Sequence, residues 1–324
     1  MPARKTAALV CRNGNLWEEH ERQFAAWSPR RSSVIGCLRF SEGPLHHRWM
    51  TTDAVSTVGK GLLLAQGRTA DVYAWDEDRI LKLFHASYPR HWIEREIENG
   101  RAVAAMGLPV PQPVDVMLCD GRTGILYERV NGDSMLQIGK ARPWLLSRMA
   151  RTLAELHTRI HAQDATGFGG LSESLRETIE QVDDLPPRLR AGVLKLLDRL
   201  PDGKRLCHFD FHPDQVLMTS SGPVIIDWMT ACRGNPLADV ARTCLLLTVG
   251  HVPYGGRVLR ALLNLSRKRL RRGYIARYLE LNPDTTYQDI STWMVPVAAG
   301  RLREGIDGEK AWLLQFIEEH LPAS

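Results

Sequence analysis

The stretch Cys207 to Trp228 restricts the fold of this chain more than any other. It reads Cys-His-Phe-Asp-Phe-His-Pro-Asp-Gln, followed by two short apolar runs, Val216 to Thr219 and Val224 to Ile226, around Ser220-Ser221-Gly222. Two apolar runs joined by a Ser-Ser-Gly turn predict a tight antiparallel hairpin. Asp210 falls in the loop before that hairpin, and Asp227 ends it directly behind three apolar residues. A carboxylate at the mouth of an apolar hairpin is costly to desolvate unless a cation or a substrate proton meets it. Two of them suit phosphoryl transfer, where one Asp accepts or orients the attacking hydroxyl and another holds the magnesium that bridges nucleotide phosphates. A His- and Asp-rich turn that merely caps a sheet is the plainer reading of the same residues.

The order His208, Asp210, Gln215, Asp227, Trp228 resembles the aminoglycoside phosphotransferase family, small-molecule kinases on the protein-kinase-like fold. The family pattern is His-x-Asp, an Asn five residues later, then a hairpin ending in Ile-Asp-Trp or similar. The resemblance implies Asp210 as catalytic base, Asp227 as principal Mg2+ ligand and position 215 as second metal ligand. It further implies ATP or GTP as phosphoryl donor and a small-molecule hydroxylated acceptor. Gln215 stands where the family has Asn, so a non-catalytic nucleotide-binding relative with a regulatory or binding role is the rival reading. A protein kinase is disfavoured, because Asn235-Pro236-Leu237 follows Asp227 too soon to leave room for an activation segment.

The implied fold is α+β and two-lobed, an antiparallel-sheet lobe with one helix followed by a mostly helical lobe. Upstream residues are consistent with it. Leu62 to Leu64, Val72 to Trp75 and Ile80 to Phe84 predict three antiparallel strands, with the loop Gln66-Gly67-Arg68-Thr69 after the first. Small loop residues such as Gly67 and Thr69 let backbone N–H groups approach phosphates, although a single Gly is a weak signal. Lys82 interrupts an apolar strand, which is costly unless its ammonium meets an anion. The resemblance assigns Lys82 to the nucleotide phosphates, steadied by a helix Glu. The helix His91 to Met106 offers Glu94, Glu96 and Glu98, and the family pattern favours Glu96. Strands at Pro113 to Leu118 and Ile125 to Val130 lead into the segment matching the family's hinge. There the Glu128 carbonyl and the Val130 N–H would face the adenine edge.

Beyond the hinge, Leu145, Leu146, Met149, Leu153, Leu156 and Ile160 recur three or four residues apart and predict an amphipathic helix. His157 reads as a packed helix histidine, and by resemblance Asp239 braces the catalytic loop. We expect residues 1–49 to be an extension outside the fold, 50–131 the nucleotide lobe, and 132–324 the catalytic and acceptor lobe. The six cysteines form no C-x-x-C pair and read as reduced thiols of a cytoplasmic protein. No run reaches membrane-spanning length and the net charge is only +5, so neither a membrane nor a nucleic-acid partner is expected. The acceptor itself should be neutral or anionic. No Asp or Glu occurs between Val240 and Leu279, where Arg242 and a run from Arg267 to Arg272 lie. A polycationic antibiotic would call for carboxylates there, although the run also reads as a solvated helix face.

Overall fold

The computed structural model describes residues 37–39, 55–56, 61–249, 257–306 and 308–322. Its N-terminal part is an antiparallel sheet in which β3 (Leu63–Gln66), β4 (Ala70–Ala74), β5 (Arg79–Phe84), β6 (Pro113–Cys119) and β7 (Arg122–Glu128) stand in the order β6-β7-β5-β4-β3. The acidic turn between β4 and β5 closes on itself. Asp76 accepts hydrogen bonds from the Asp78 N–H at 3.1 Å and from Arg79 Nε at 2.7 Å. Strand alternation then divides β5 between two faces. Leu81 and Leu83 pack with Met117, Cys119 and Leu126 on one side. Ile80 and Phe84 pack on the other, with Ile93 and Ile97 of α1 (Arg90–Ala105). Lys82 shares the parity of Ile80 and Phe84, so its ammonium is delivered to the α1 face.

Two further short strands continue the sheet, one of them within the expected extension. β1 (Cys37–Arg39) pairs with β6, and β2 (Val55–Ser56) pairs with β1. The rest of residues 1–49 lies outside the described residues, but Cys37–Arg39 belongs to the sheet. The physical reason is the edge that β6 would otherwise present, a row of unpaired N–H and C=O groups. Cys119 is also disulfide-bonded, which corrects the expectation of six reduced thiols. Truncation is therefore not neutral. A chain beginning at Met50 should melt roughly 2–6 °C lower, because uncovering the β6 edge costs on the order of 1–2 kcal/mol. An unchanged thermal midpoint would show that β1 adds no stability.

The C-terminal part is helical. After the two-residue strand β8 (Asp133–Ser134), Ser134 caps α2 (Met135–Ala141) with a capping box shared with Gln137. α3 (Leu146–His161) buries Met149, Leu153, Leu156 and Ile160, the predicted stripe. α4 (Leu171–Glu180) and α5 (Pro187–Leu197) follow, with Pro187 at the first position of α5, where its missing N–H costs nothing. β9 (Arg205–Cys207) leads into the loop His208 to Gln215, and β10 (Val216–Thr219) with β11 (Gly222–Ile225) forms the predicted hairpin. β12 (Cys232–Gly234) returns to pair with β9. The core then closes with α6 (Pro236–Val249), α7 (Arg257–Leu281), α8 (Tyr287–Thr292), α9 (Met294–Arg301) and α10 (Lys310–His320). α3 and α7 run side by side: Arg269 reaches Ser147, Arg277 reaches Glu155, and Asn282 reaches Thr158.

Candidate active site

Helical period decides which glutamate meets Lys82. With Ile93 and Ile97 buried, the 3.6-residue repeat carries Glu96 onto the same face and leaves Glu94 and Glu98 off it. Lys82 Nζ lies 2.7 Å from Glu96 Oε1 and 3.1 Å from Asp227 Oδ1. The Tyr127 hydroxyl donates to the same Glu96 oxygen at 2.9 Å. Burial disfavours the ammonium, but the charges of Asp227 and Glu96 outweigh it and hold Lys82 above its ordinary pKa. Burial also pushes the Glu96 carboxyl upward, against the pull of Lys82. Asn99 was not singled out from the sequence, although it sits on the same helix face. Its amide donates to the carbonyls of Trp228 and Ala231 at 3.0 and 3.2 Å, tying α1 to the chain just after Asp227.

The loop from His208 to Asp210 is held from behind. The N–H groups of His208 and Phe209 donate to the two oxygens of Asp239, at 2.6 and 2.9 Å. His208 is fully buried. Its Nε2 donates to the Ile226 carbonyl at 3.0 Å, and its Nδ1 accepts from the Asp210 N–H at 3.3 Å. Those two bonds fix the tautomer and tie loop to hairpin. Phe209 and Asp227 both take left-handed backbone conformations, with φ of 60° and 66°, which non-glycine residues adopt only where surrounding contacts impose it. Asp239 also lies 3.0 Å from His157 Nε2 and 3.3 Å from His161 Nε2. The hydroxyls of Tyr274 and Tyr278 meet the other ring nitrogens, at 2.6 and 2.8 Å. Two histidines and a carboxylate are metal-ligand types, but Asp239 already serves the loop amides, and the cluster acts as a brace. Burial opposes ionisation of Asp239, yet His157 and His161 keep its carboxyl well below the usual range.

Asp210, Gln215 and Asp227 converge at the mouth of the hairpin. Gln215 Nε2 lies 3.4 Å from Asp210 Oδ2 and 3.3 Å from Asp227 Oδ2. Burial raises the Asp210 carboxyl, but the His212 hydrogen bond and the Arg242 guanidinium outweigh it and bring its pKa down to about 2. The donor set fits Mg2+, a hard cation that takes carboxylate and amide oxygens. Rotating the Gln215 amide exchanges nitrogen for oxygen at the point facing Asp227.

The remaining predicted positions surround this centre. Gly67 and Thr69 flank the tip of the β3–β4 hairpin, where the Gly67 N–H donates to the Ala70 carbonyl at 2.9 Å. Between them Arg68 reaches Glu304, with Nη1–Oε2 at 3.6 Å, so the loop lies across the cleft from the C-terminal helices. Glu128 ends β7, and Val130 follows in the connection to β8. Arg242, counted from the sequence only as one basic residue in a wall, is buried, with Nη2 3.8 Å from Asp210 Oδ1. It also pairs with Glu304, which is shared with Arg301. The sequence signal for it was position: three residues beyond Asp239, Arg242 lies one helical turn further along α6.

Comparison with known proteins bears on this geometry. Residues 60–281 match the model of the Phosphotransferase enzyme family. A curated relative, acyl-CoA dehydrogenase family member 11 of Gallus gallus, is 26% identical over 175 residues. That match takes in 47% of this chain, which spans 22% of the relative's length. Among solved structures, a thermostable mutant of aminoglycoside phosphotransferase APH(4)-Ia in ternary complex with AMP-PNP and hygromycin B superposes with a TM-score of 0.56 at 19% identity. That superposition covers 80% of this chain and 91% of the other. Amicoumacin kinase hAmiN, in complex with AMP-PNP, Ca2+ and Ami, gives 0.52 at 15% identity, covering 81% and 87%. At these identities the likeness is one of fold.

Proposed function

The chain belongs to the Phosphotransferase enzyme family, and from that premise we propose that it moves the γ-phosphoryl group of ATP or GTP to a hydroxyl of a small molecule. The observation that carries this reading is one continuous polar array, Glu96–Lys82–Asp227–Gln215–Asp210, with contacts of 2.7 to 3.4 Å. Lys82 meets the nucleotide phosphates, Gly67 and Thr69 cover them, and the main chain at Glu128 and Val130 faces the adenine edge. Asp227 and Gln215 hold Mg2+, which when bound neutralises the phosphate oxygens. Asp210 stays a carboxylate, orients the acceptor hydroxyl and takes its proton as the new P–O bond forms and the bond from the γ-phosphorus to the bridging oxygen breaks, which releases the nucleoside diphosphate. A screen of hydroxylated compounds read by nucleoside-diphosphate release tests the reading. Acceptor-dependent release supports it. Tight nucleotide binding with no release on any acceptor supports the rival, a non-catalytic binder.

Gln215 should also set the magnesium requirement. Its extra methylene pushes the amide oxygen outward, and Mg2+ demands near-ideal octahedral geometry. Gln215→Asn should lower the magnesium concentration at half-maximal rate by about three- to tenfold. A titration without any shift would mean that this side chain does not touch the metal.

The acceptor is neutral or anionic. Glu304, the carboxylate that bridges towards Asp210 through Arg242, is already shared with Arg68 and Arg301, and Glu309 pairs with Arg301. A polycation would have to displace those arginines. Expression in a sensitive bacterium should give little protection against kanamycin- or streptomycin-type drugs. Strong protection that Asp210→Asn abolishes would overturn the assignment of acceptor.

A further inference from the structure

Helix α7 presents an exposed outer stripe. Leu270, Tyr274 and Tyr278, four residues apart, are its buried face. At 100° per residue, Leu262, Leu265, Arg269 and Arg272 fall on the opposite side. Leu262 and Leu265 are 56% and 64% exposed, and Lys268, Arg269 and Arg272 beside them are exposed too. The contact of Arg269 with Ser147, 3.3 Å, sets this stripe against the start of α3. One turn before Ser147 stands Trp144, 71% exposed, with Arg142 and Arg148 exposed on either side of it. Among the described residues neither Lys268 nor Arg272 has an ion-pair partner.

Leucines and a tryptophan interleaved with cations, and no carboxylate along α7 until Glu280, form a surface of one chemistry. We propose that this face docks onto an anionic lipid surface, with the Leu and Trp side chains entering the headgroup boundary and the Lys and Arg side chains meeting lipid phosphates. Charge complementarity selects that occupant. A second copy packed through the same stripe would bring Arg269 and Arg272 against their own counterparts, and residues 1–36 of this chain are themselves net basic. A bilayer satisfies leucines and cations together. The expectation of no membrane partner rested on the lack of a spanning run, and no described helix is long and apolar enough to cross a membrane. Docking on a surface needs no such run.

The test is flotation of the full chain with vesicles of phosphatidylcholine alone, or containing about 30% phosphatidylglycerol. Binding should be at least about tenfold stronger with phosphatidylglycerol and should weaken at high salt. Leu262→Ser with Leu265→Ser, and separately Lys268→Glu with Arg272→Glu, should each cut it about tenfold while leaving the thermal midpoint unchanged. Equal binding to neutral vesicles, or none to anionic ones, overturns the proposal. So does binding that survives the serine pair, which would mark a merely basic surface open to any polyanion. A wild-type dimer that the serine pair converts to monomer would assign the face to a second copy instead.

Discussion

Asp210→Asn should lower turnover by about a thousandfold or more while leaving nucleotide affinity within a factor of about three. The asymmetry follows from what the side chain touches. Asp210 meets Gln215, His212 and Arg242, whereas the lysine proposed for the nucleotide phosphates, Lys82, pairs with Glu96 and Asp227. Asparagine preserves shape and hydrogen bonding but supplies no negative charge and takes up no proton. Arg242, 3.8 Å away, would then face a neutral partner and keep only Glu304. The measurement is initial rate on a turned-over acceptor beside nucleotide affinity by calorimetry. Full activity in the variant would remove Asp210 from the chemistry. An equal loss of nucleotide binding would place it among the nucleotide contacts instead.

Asp239→Ala should destabilise the fold by about 3–5 kcal/mol, roughly 6–20 °C in thermal midpoint, and should slow turnover as well. A fully buried carboxylate that accepts from two loop N–H groups and lies against two histidines leaves several buried donors unpaired when it is removed. The loop that carries Asp210, held in a strained backbone at Phe209, would lose its anchor. The same brace gives the stability a pH signature. Burial, helped by His161, lowers the His157 pKa to about 4, below its ordinary 6.5, so the folded state resists a proton that the unfolded chain accepts. Stability is therefore full above about pH 6.5 and declines as pH falls towards about 4. Asp239, held far below its ordinary 3.8, extends the loss into more acidic solution. Melting curves across that range check the first part. A midpoint flat from pH 7 to about 4 would show that His157 does not couple to folding.

The hairpin and the two aspartates at its mouth were legible because a tight turn between apolar runs is local information. Local, too, was the α3 stripe, since a helix announces its buried face by period alone. Glu96 was within reach of the same reasoning: Ile93 and Ile97 already marked the face on which it lies. The edge role of Cys37–Arg39 was not, because three residues without periodicity become a strand only when β6 offers an unpaired edge beside them.

Arg242 shows where the sequence stops. Read along the chain, it is one of several basic residues and belongs to an outer wall. Folded, it is buried beside Asp210, while Lys268 and Arg272 of the same basic region face outward. Only the packing of α6 against the catalytic loop separates these fates, because a guanidinium has one sign everywhere and its role depends on what lies within about 4 Å. By itself the sequence determined the family and the lobe order and brought Asp210, Gln215 and Asp227 into one stretch, since each is written as a short-range pattern of residue types. The tertiary structure decided that Lys82 also meets Asp227, which histidines brace Asp239, and which arginine stands beside Asp210. Those choices are contacts between segments far apart in the chain, 145 residues for Lys82 and Asp227, and no local pattern carries them.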